Sequence, residues 1–283
     1  MVTPTPASAP PKGWLQPLAP VRRSGRDPID LQAPATSIRR YRAVCAVGGA
    51  ISRLYSRVRV EGIERVPAGA AILCFNHQNW ADPLYMFAAF PRGQRMYFFG
   101  PKEEEMRRGL RNRLMRWCGV VVPYRPGNRG LVAATARVEA LLGRGALIAI
   151  AGEGQIHSGE GVVLPIQRGP AYLSLRAGVP VVPVALNGTS WLGFQRPVRV
   201  RIGAPISPVN ATPARPGADE VAILTTEIQD ALEALVADFP DREMPGRVGR
   251  LLTELFNDWP DGSRPPAGAC KADARAPDPI ADR

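Results

Sequence analysis

His77 and Asp82 close the run Asn76-His77-Gln78-Asn79-Trp80-Ala81-Asp82. A carboxylate hydrogen-bonded to one imidazole nitrogen fixes the ring's tautomer and raises the basicity of the other nitrogen. Such a pair can take a proton from a hydroxyl, so His77 is a candidate general base and Asp82 its orienting partner. The same spacing also surrounds histidines that are merely satisfied within a core, so the pair gains meaning only from what positions it. The preceding run Ala70 to Phe75 is apolar and ends abruptly at Asn76. Asp82-Pro83 then reads as a helix start, with Asp82 at the N-cap and Pro83 as the first helical residue. The pair thus spans the turn from a strand's carboxyl end into a helix, where α/β sheets gather their chemistry.

The rest of the chain supplies the elements of such a sheet. Short β-branched runs occur at Val58 to Glu61, Ala70 to Phe75, Met96 to Gly100, Val120 to Pro123, Ala146 to Ala151, Val181 to Leu186 and Val198 to Ile202. Between and after them lie helical patterns at Asp82 to Phe90, Met106 to Cys118, Arg129 to Leu142, Gly169 to Ala177 and near Asp219 to Ala237. This alternation predicts an α/β fold, a single domain with a mixed, largely parallel central sheet flanked by helices. Prolines crowd both ends of the chain. Residues 1–37 therefore read as a disordered Pro-rich arm, 58–240 as the domain proper, and 241–283 as a C-terminal helix with a disordered Pro/Ala-rich tail.

The formal net charge of +11 favours anionic partners: nucleic acid, acidic lipid headgroups or a polyphosphate. Its distribution narrows the choice. No acid stands between Leu31 and Val60, while Arg39, Arg40, Arg42, Arg53, Arg57 and Arg59 flank the apolar run Ala43 to Ile51. Residues 38–57 read as a basic amphipathic segment docking on an anionic bilayer, or as a solvated helix with an arginine-rich face. On the docking reading, deleting residues up to about Arg57 should weaken membrane association more than it alters the fold. Gly48 and Gly49 each weaken a helix there by about 1 kcal/mol.

No run reaches the roughly 18 apolar residues of a spanning helix, and the N-terminus lacks the pattern of a secretory signal. The sequence thus predicts a cytoplasmic protein, peripheral on the inner face of the membrane. Cys45, Cys74, Cys118 and Cys270 are far apart, and there are two histidines, so no metal site is expected and the thiols read as reduced core fillers. Zinc-finger, paired-aromatic and Gly-Lys-Ser/Thr phosphate-loop motifs are absent, which argues against nucleic acid. The absence of Gly-x-Ser-x-Gly argues against a serine-nucleophile hydrolase.

Three runs follow Asp82 in order: Gly119-Val120-Val121-Val122-Pro123-Tyr124-Arg125, Ala151-Gly152-Glu153-Gly154-Gln155-Ile156-His157-Ser158 and Val179-Pro180-Val181-Val182-Pro183-Val184. With Asn76 to Asp82 they resemble the four sequence blocks of the glycerophosphate and lysophosphatidate acyltransferase family, in that family's order. The resemblance implies an O-acyltransferase of phospholipid biosynthesis, such as a 1-acylglycerol-3-phosphate O-acyltransferase, working on a membrane phospholipid surface. It moves a fatty acyl group from acyl-CoA or acyl carrier protein, as co-substrate, to a hydroxyl of lysophosphatidate or a related lysoglycerolipid; no cofactor is implied.

His77 and Asp82 are then the catalytic pair, and Arg125, Glu153, Gly154, Gly119 and Asn76 the substrate-binding set. Arg125 has the planar donor fork that suits the acceptor's phosphate. Glu153, past the apolar run Ala146 to Ala151, can accept from a glycerol hydroxyl or brace its own loop. The third block departs from the family's commonest form, Phe-Pro-Glu-Gly-Thr-Arg-Ser, because Ile156 stands where that form has Arg. Lys102 or Arg168 would then supply the missing phosphate contact, or the acceptor carries no phosphomonoester. His157 reads as a surface loop residue, or as a polar contact in the site.

Overall fold

The computed structural model describes residues 38–90, 94–102, 117, 119–124, 128–157, 159–208, 216–239 and 245–256. The β-branched runs become strands β1 (Arg57–Glu61), β2 (Ala71–Phe75), β3 (Met96–Lys102), β4 (Val121–Tyr124), β5 (Leu147–Ala151), β6 (Val181–Asn187) and β7 (Pro197–Ile202). They form one seven-stranded sheet in the order β1-β7-β6-β2-β5-β3-β4. Every neighbouring pair is parallel except β6 with β7. The helices are α1 (Ile38–Tyr55), α2 (Asp82–Ala89), α3 (Asn128–Leu142), α4 (Gly169–Ala177), α5 (Ala218–Val236) and α6 (Arg247–Phe256). The fold is the mixed, largely parallel α/β sheet expected from the sequence. The predicted helix from Met106 to Cys118 lies outside the described residues except for Trp117, and residues 1–37 and 257–283 lie outside them entirely.

Alternation along the inner strands sends side chains to two cores. Leu73, Phe75, Leu147, Ala149, Val182 and Val184 face α1 and α2, where they meet Tyr41, Tyr85, Met86 and Phe87. Ile72, Cys74, Ile148, Ile150 and Ala185 face the other side, where Val138 of α3, Leu173 of α4 and Ile228 of α5 cover them. Both faces of the central strands are buried, which explains their unbroken apolar sequences. Pro183, inside β6, lacks the N–H a ladder needs. Its place falls between the Val181–Ile206 bridge and the β6–β7 pairing that begins at Val184 and Ile202, and its carbonyl still accepts from Gly203 N at 2.8 Å.

α1 is a packed part of the domain rather than an appended anchor. Gly48 and Gly49, which weaken a helix locally, are where it presses on α2: a Cβ on Gly49 would stand 3.2 Å from Ala88 Cα, and one on Gly48 3.4 Å from Leu84 Cδ2. Arg53 donates to the Ala88 carbonyl, Ser56 Oγ and Tyr85 Oη lie 2.9 Å apart, and Tyr41 Oη accepts from Met96 N at 3.0 Å. Deleting α1 would therefore take Tyr41 and Cys45 out of the core and uncover the α2 face they pack on. Such a deletion would thus disturb the packing of α2 as well as any membrane association. The outward face of α1 exposes Val47, Ile51 and Leu54, one stripe at helical spacing.

Candidate active site

Parallel pairing of β2 with β5 fixes the centre of the site. Phe75 is in register with Ala151, so His77 and Glu153 each lie two residues past that pair, at the carboxyl ends of adjacent strands. Asn76 continues the sheet where the β2 backbone leaves it: its amide donates to Leu186 O at 2.9 Å and accepts from Leu186 N at 2.7 Å. The chain then turns at Asn79, whose carbonyl accepts from Asp82 N and whose Oδ1 accepts from Ala81 N, both at 2.9 Å.

Asp82 is fully buried and its Oδ2 lies 2.8 Å from His77 Nδ1. The same oxygen accepts from Gln78 N at 2.9 Å and Asn79 N at 3.0 Å. Asp82 is thus the first residue of α2, not its N-cap, and its side chain folds back to bind the turn before it. A carboxylate oxygen that already accepts from two main-chain N–H groups takes Nδ1 as a third donor, leaving Nε2 as the nitrogen with a free lone pair. His77 is 8% exposed. The rings of Phe75 and Trp80 meet the imidazole edge-on at 5.6 and 5.5 Å between centroids, which restrains its rotation.

Behind His77 lies a second imidazole–carboxylate couple. Glu153 Oε2 accepts from His77 N at 2.8 Å, while Oε1 accepts from Leu164 N at 2.9 Å and lies 2.8 Å from His157 Nε2. His157 N donates to His77 O at 3.0 Å. His157 is buried, not a surface loop residue. Burial lowers its pKa, but the hydrogen bond and charge of Glu153, aided by Glu160 and Asp82, outweigh burial and raise it above the ordinary value.

Glu160, which the sequence reading missed, anchors the loop between β5 and α4. It is 1% exposed and accepts from Gln78 Nε2, Gly188 N, Ser190 N and Ser190 Oγ. Burial raises its pKa, and those four donors pull part of the way back. One sequence signal was available: from Ala151 to Ile166 there is no Lys or Arg, although the chain carries 36 of them. Acids in a cation-free loop of so basic a protein are candidates for burial.

The geometry is therefore a histidine poised by a buried carboxylate at the carboxyl edge of a parallel sheet. Over residues 57–187 the sequence matches the Acyltransferase family. The chain carries an Acyltransferase-family domain. The acyltransferase is also similar in fold to the crystal structure of the 1-acyl-sn-glycerophosphate (LPA) acyltransferase from Thermotoga maritima, at 22% identity. The TM-score is 0.52, over 72% of this chain and 81% of that one. No curated protein matches the sequence significantly.

Other expected site residues of the acyltransferase are distributed as follows. Gly119 is buried with φ 63°, a left-handed turn entering β4 that a side chain would strain. Gly154 has φ 72° and follows Glu153 on the exposed side of its loop. Both Glu153 oxygens have partners within the protein, Oε2 the His77 N–H and Oε1 the Leu164 N–H and His157 Nε2. Arg168 is exposed at the start of α4, on the opposite sheet face from α2. The backbone of Lys102 pairs in register with Tyr124 at the end of β3. Arg125 lies outside the described residues. Among the described residues no cluster of His, Cys, Asp and Glu is arranged to hold a metal ion. No helix among them is long and apolar enough to cross a membrane.

Proposed function

We propose that this acyltransferase moves a fatty acyl group from an acyl thioester to a hydroxyl of lysophosphatidate or a related lysoglycerolipid, as a 1-acylglycerol-3-phosphate O-acyltransferase does. The observation that carries the reading is the 2.8 Å contact of His77 Nδ1 with the buried Asp82. His77 Nε2 takes the acceptor's proton as that oxygen forms a bond to the thioester carbonyl carbon. The tetrahedral intermediate collapses, the C–S bond breaks, and the thiolate recovers the proton from the imidazolium. Asp82 stabilises that transient charge without taking the proton. No acyl-enzyme is required, and the thioester is carried by coenzyme A or acyl carrier protein.

Arg125, beyond β4, is the proposed phosphate contact, with Lys102 or Arg168 as its partner. One observation favours a second acceptor class: Ile156 occupies the place of a phosphate-binding Arg, so a lysolipid or alcohol without a phosphomonoester fits the same chemistry. The protein is proposed to work in the cytoplasm on the inner face of the membrane. In support, the Val47, Ile51 and Leu54 stripe lies beside exposed Arg39, Arg40 and Arg42, which suits an anionic bilayer. Phe194, packed on Tyr55 at 6.1 Å, continues it. α6 adds exposed Val248, Leu251 and Leu255 and is tied to the same segment by Leu192 N donating to Thr253 Oγ1.

The test is to incubate the purified protein with labelled acyl-CoA or acyl carrier protein and a panel of lysophospholipids, glycerol phosphate and neutral alcohols, identifying products by mass. Transfer should occur with wild type and be abolished in His77→Ala. Wild-type transfer by His77→Ala would sink the base assignment. Release of free fatty acid with no acceptor would point to hydrolysis instead.

A further inference from the structure

His77 is held by its main chain as well as its ring. Its N–H donates to Glu153 Oε2 at 2.8 Å and its carbonyl accepts from His157 N at 3.0 Å. The Glu153 carboxylate is itself oriented by His157 Nε2 at 2.8 Å and Leu164 N at 2.9 Å. Both polar main-chain atoms of His77 are therefore clasped by one imidazole–carboxylate couple, while the ring is aimed by another. The two couples share a single residue.

The clasp contains an unbalanced atom. His157 Nδ1 is buried and has no hydrogen-bond partner among the described residues. That nitrogen is unsatisfied in either state, as a bare acceptor when a neutral His157 donates from Nε2 or as a bare N–H donor when the ring is protonated, at a cost of about 1–3 kcal/mol. A protonated His157 instead places a full positive charge beside Glu153, in a site where attraction is weakly screened. The charged groups acting on the ring are Glu153 in direct contact, then Glu160 and Asp82. All three are acids. His157 Nε2 bonds Glu153 from four positions along the same loop.

We infer that His157 is a positioning residue for acyl transfer: in its protonated form it holds Glu153 in the orientation that fixes the His77 peptide and so the height of the His77 ring over the sheet edge. The inference rests on the proposal that His77 is the base. A general base gains its rate from geometry held to a fraction of an ångström, and a displacement of about 1 Å costs on the order of a hundredfold. Loss of the His157 proton removes the cation from this pair, leaving a weaker bond in which only the carboxylate is charged, and loosens the peptide. Its raised pKa sets the sign: the clasp is complete near the ordinary histidine value, where a free imidazole is already losing its proton, and is lost as pH rises through the higher folded-state value.

The experiment uses the full-length protein with His157→Ala, His157→Gln and His77→Ala variants. Values of kcat and KM for the acyl thioester are followed across the pH range, and thermal midpoints are measured in parallel. His157→Ala should lose kcat by about ten- to a hundredfold with KM within about twofold. His157→Gln, whose amide N–H can reach Glu153, should recover most of kcat and lack the alkaline fall that wild type shows. Because the chain has two histidines, nitrogen-edited NMR of the rings gives two resolvable titrations. The one lost in His157→Gln should lie above the ordinary value and be mirrored by the His77 amide. A lowered midpoint in His157→Ala with unchanged kcat per folded molecule would make the residue merely structural and overturn the inference. An alkaline limb persisting unchanged in His157→Gln would also overturn it. Inactive His77→Ala beside fully active His157 variants defeats this inference alone, whereas active His77→Ala defeats the base assignment with it.

Discussion

Asp82→Asn tests how the turn chooses a tautomer. Asp82 Oδ2 receives His77 Nδ1, Gln78 N and Asn79 N within 2.8 to 3.0 Å. Two of these donors are main-chain N–H groups that cannot change character. Asparagine must therefore present its oxygen at that position and its NH2 at the place of Oδ1, a buried atom with no partner among the described residues. With oxygen facing Nδ1, the imidazole keeps its proton there and Nε2 stays basic. What is lost is the negative charge opposite the imidazolium in the transition state. A hydrogen bond to a charged group is worth about 1.5–3 kcal/mol, so kcat should fall by about ten- to a hundredfold. An amide turned the other way would trap the wrong tautomer and cost about 10⁴ in kcat. The buried NH2 should separately remove about 1–3 kcal/mol of stability. Thiol release from the acyl thioester with acceptor present, checked by product mass, measures the first effect, and thermal unfolding the second. A loss as large as that of His77→Ala, or none at all, would refute the anchored-tautomer argument.

Other perturbations follow from the same distances. Glu160→Gln should lower stability by about 1–3 kcal/mol, since an amide NH2 would face donors where the carboxylate accepts four. Because the folded pKa of Glu160 is raised above 4.5, the folded state binds its proton more tightly. Wild-type stability should therefore decline relative to Glu160→Gln as pH rises from about that value; parallel curves by calorimetry would contradict this. Gly152→Ala would bring a Cβ to 2.6 Å from Cys74 Sγ and 2.7 Å from Ile166 Cδ1. This overpacking should cost about 1–3 kcal/mol in denaturant unfolding. A chain with both Ile51→Glu and Leu54→Glu should sediment less with anionic vesicles at low salt while keeping its unfolding midpoint, as both side chains are exposed. Undiminished sedimentation would remove α1 from the proposed docking face.

Much of the framework was legible because each strand carries its signal within itself. The apolar run ending at Phe75 marks β2 without reference to anything distant. The strand order and the reversed β7 were not legible, since they depend on pairings between segments far apart in the chain. The His77–Asp82 bond could be anticipated because five residues and one turn separate its members. Glu160 carried only the local absence of Lys and Arg as a signal, because it is buried by Gln78, 82 positions before it, and Ser190, 30 positions after it. Its neighbours Gly159 and Gly161 instead suggest an open loop. His157 was misread for the same reason: its partner Glu153 is close in sequence, but the burial comes from the loop folding back onto His77. Gly48 and Gly49 were legible as helix weaknesses yet not as a contact surface, because the surface belongs to α2.

The edge pairing of β1 with β7 has a consequence for the order in which the molecule is made. Arg57 is in register with Pro197 and Glu61 with Arg201, so β1, the earliest strand among the described residues, has its place in the sheet only after β7 has been synthesised. Synthesis at about 5–20 residues per second makes that wait many seconds. During it, β1 is an unpaired edge beside a helix whose outward face carries Val47, Ile51 and Leu54. A nascent chain in that condition needs a surface or a chaperone to occupy it.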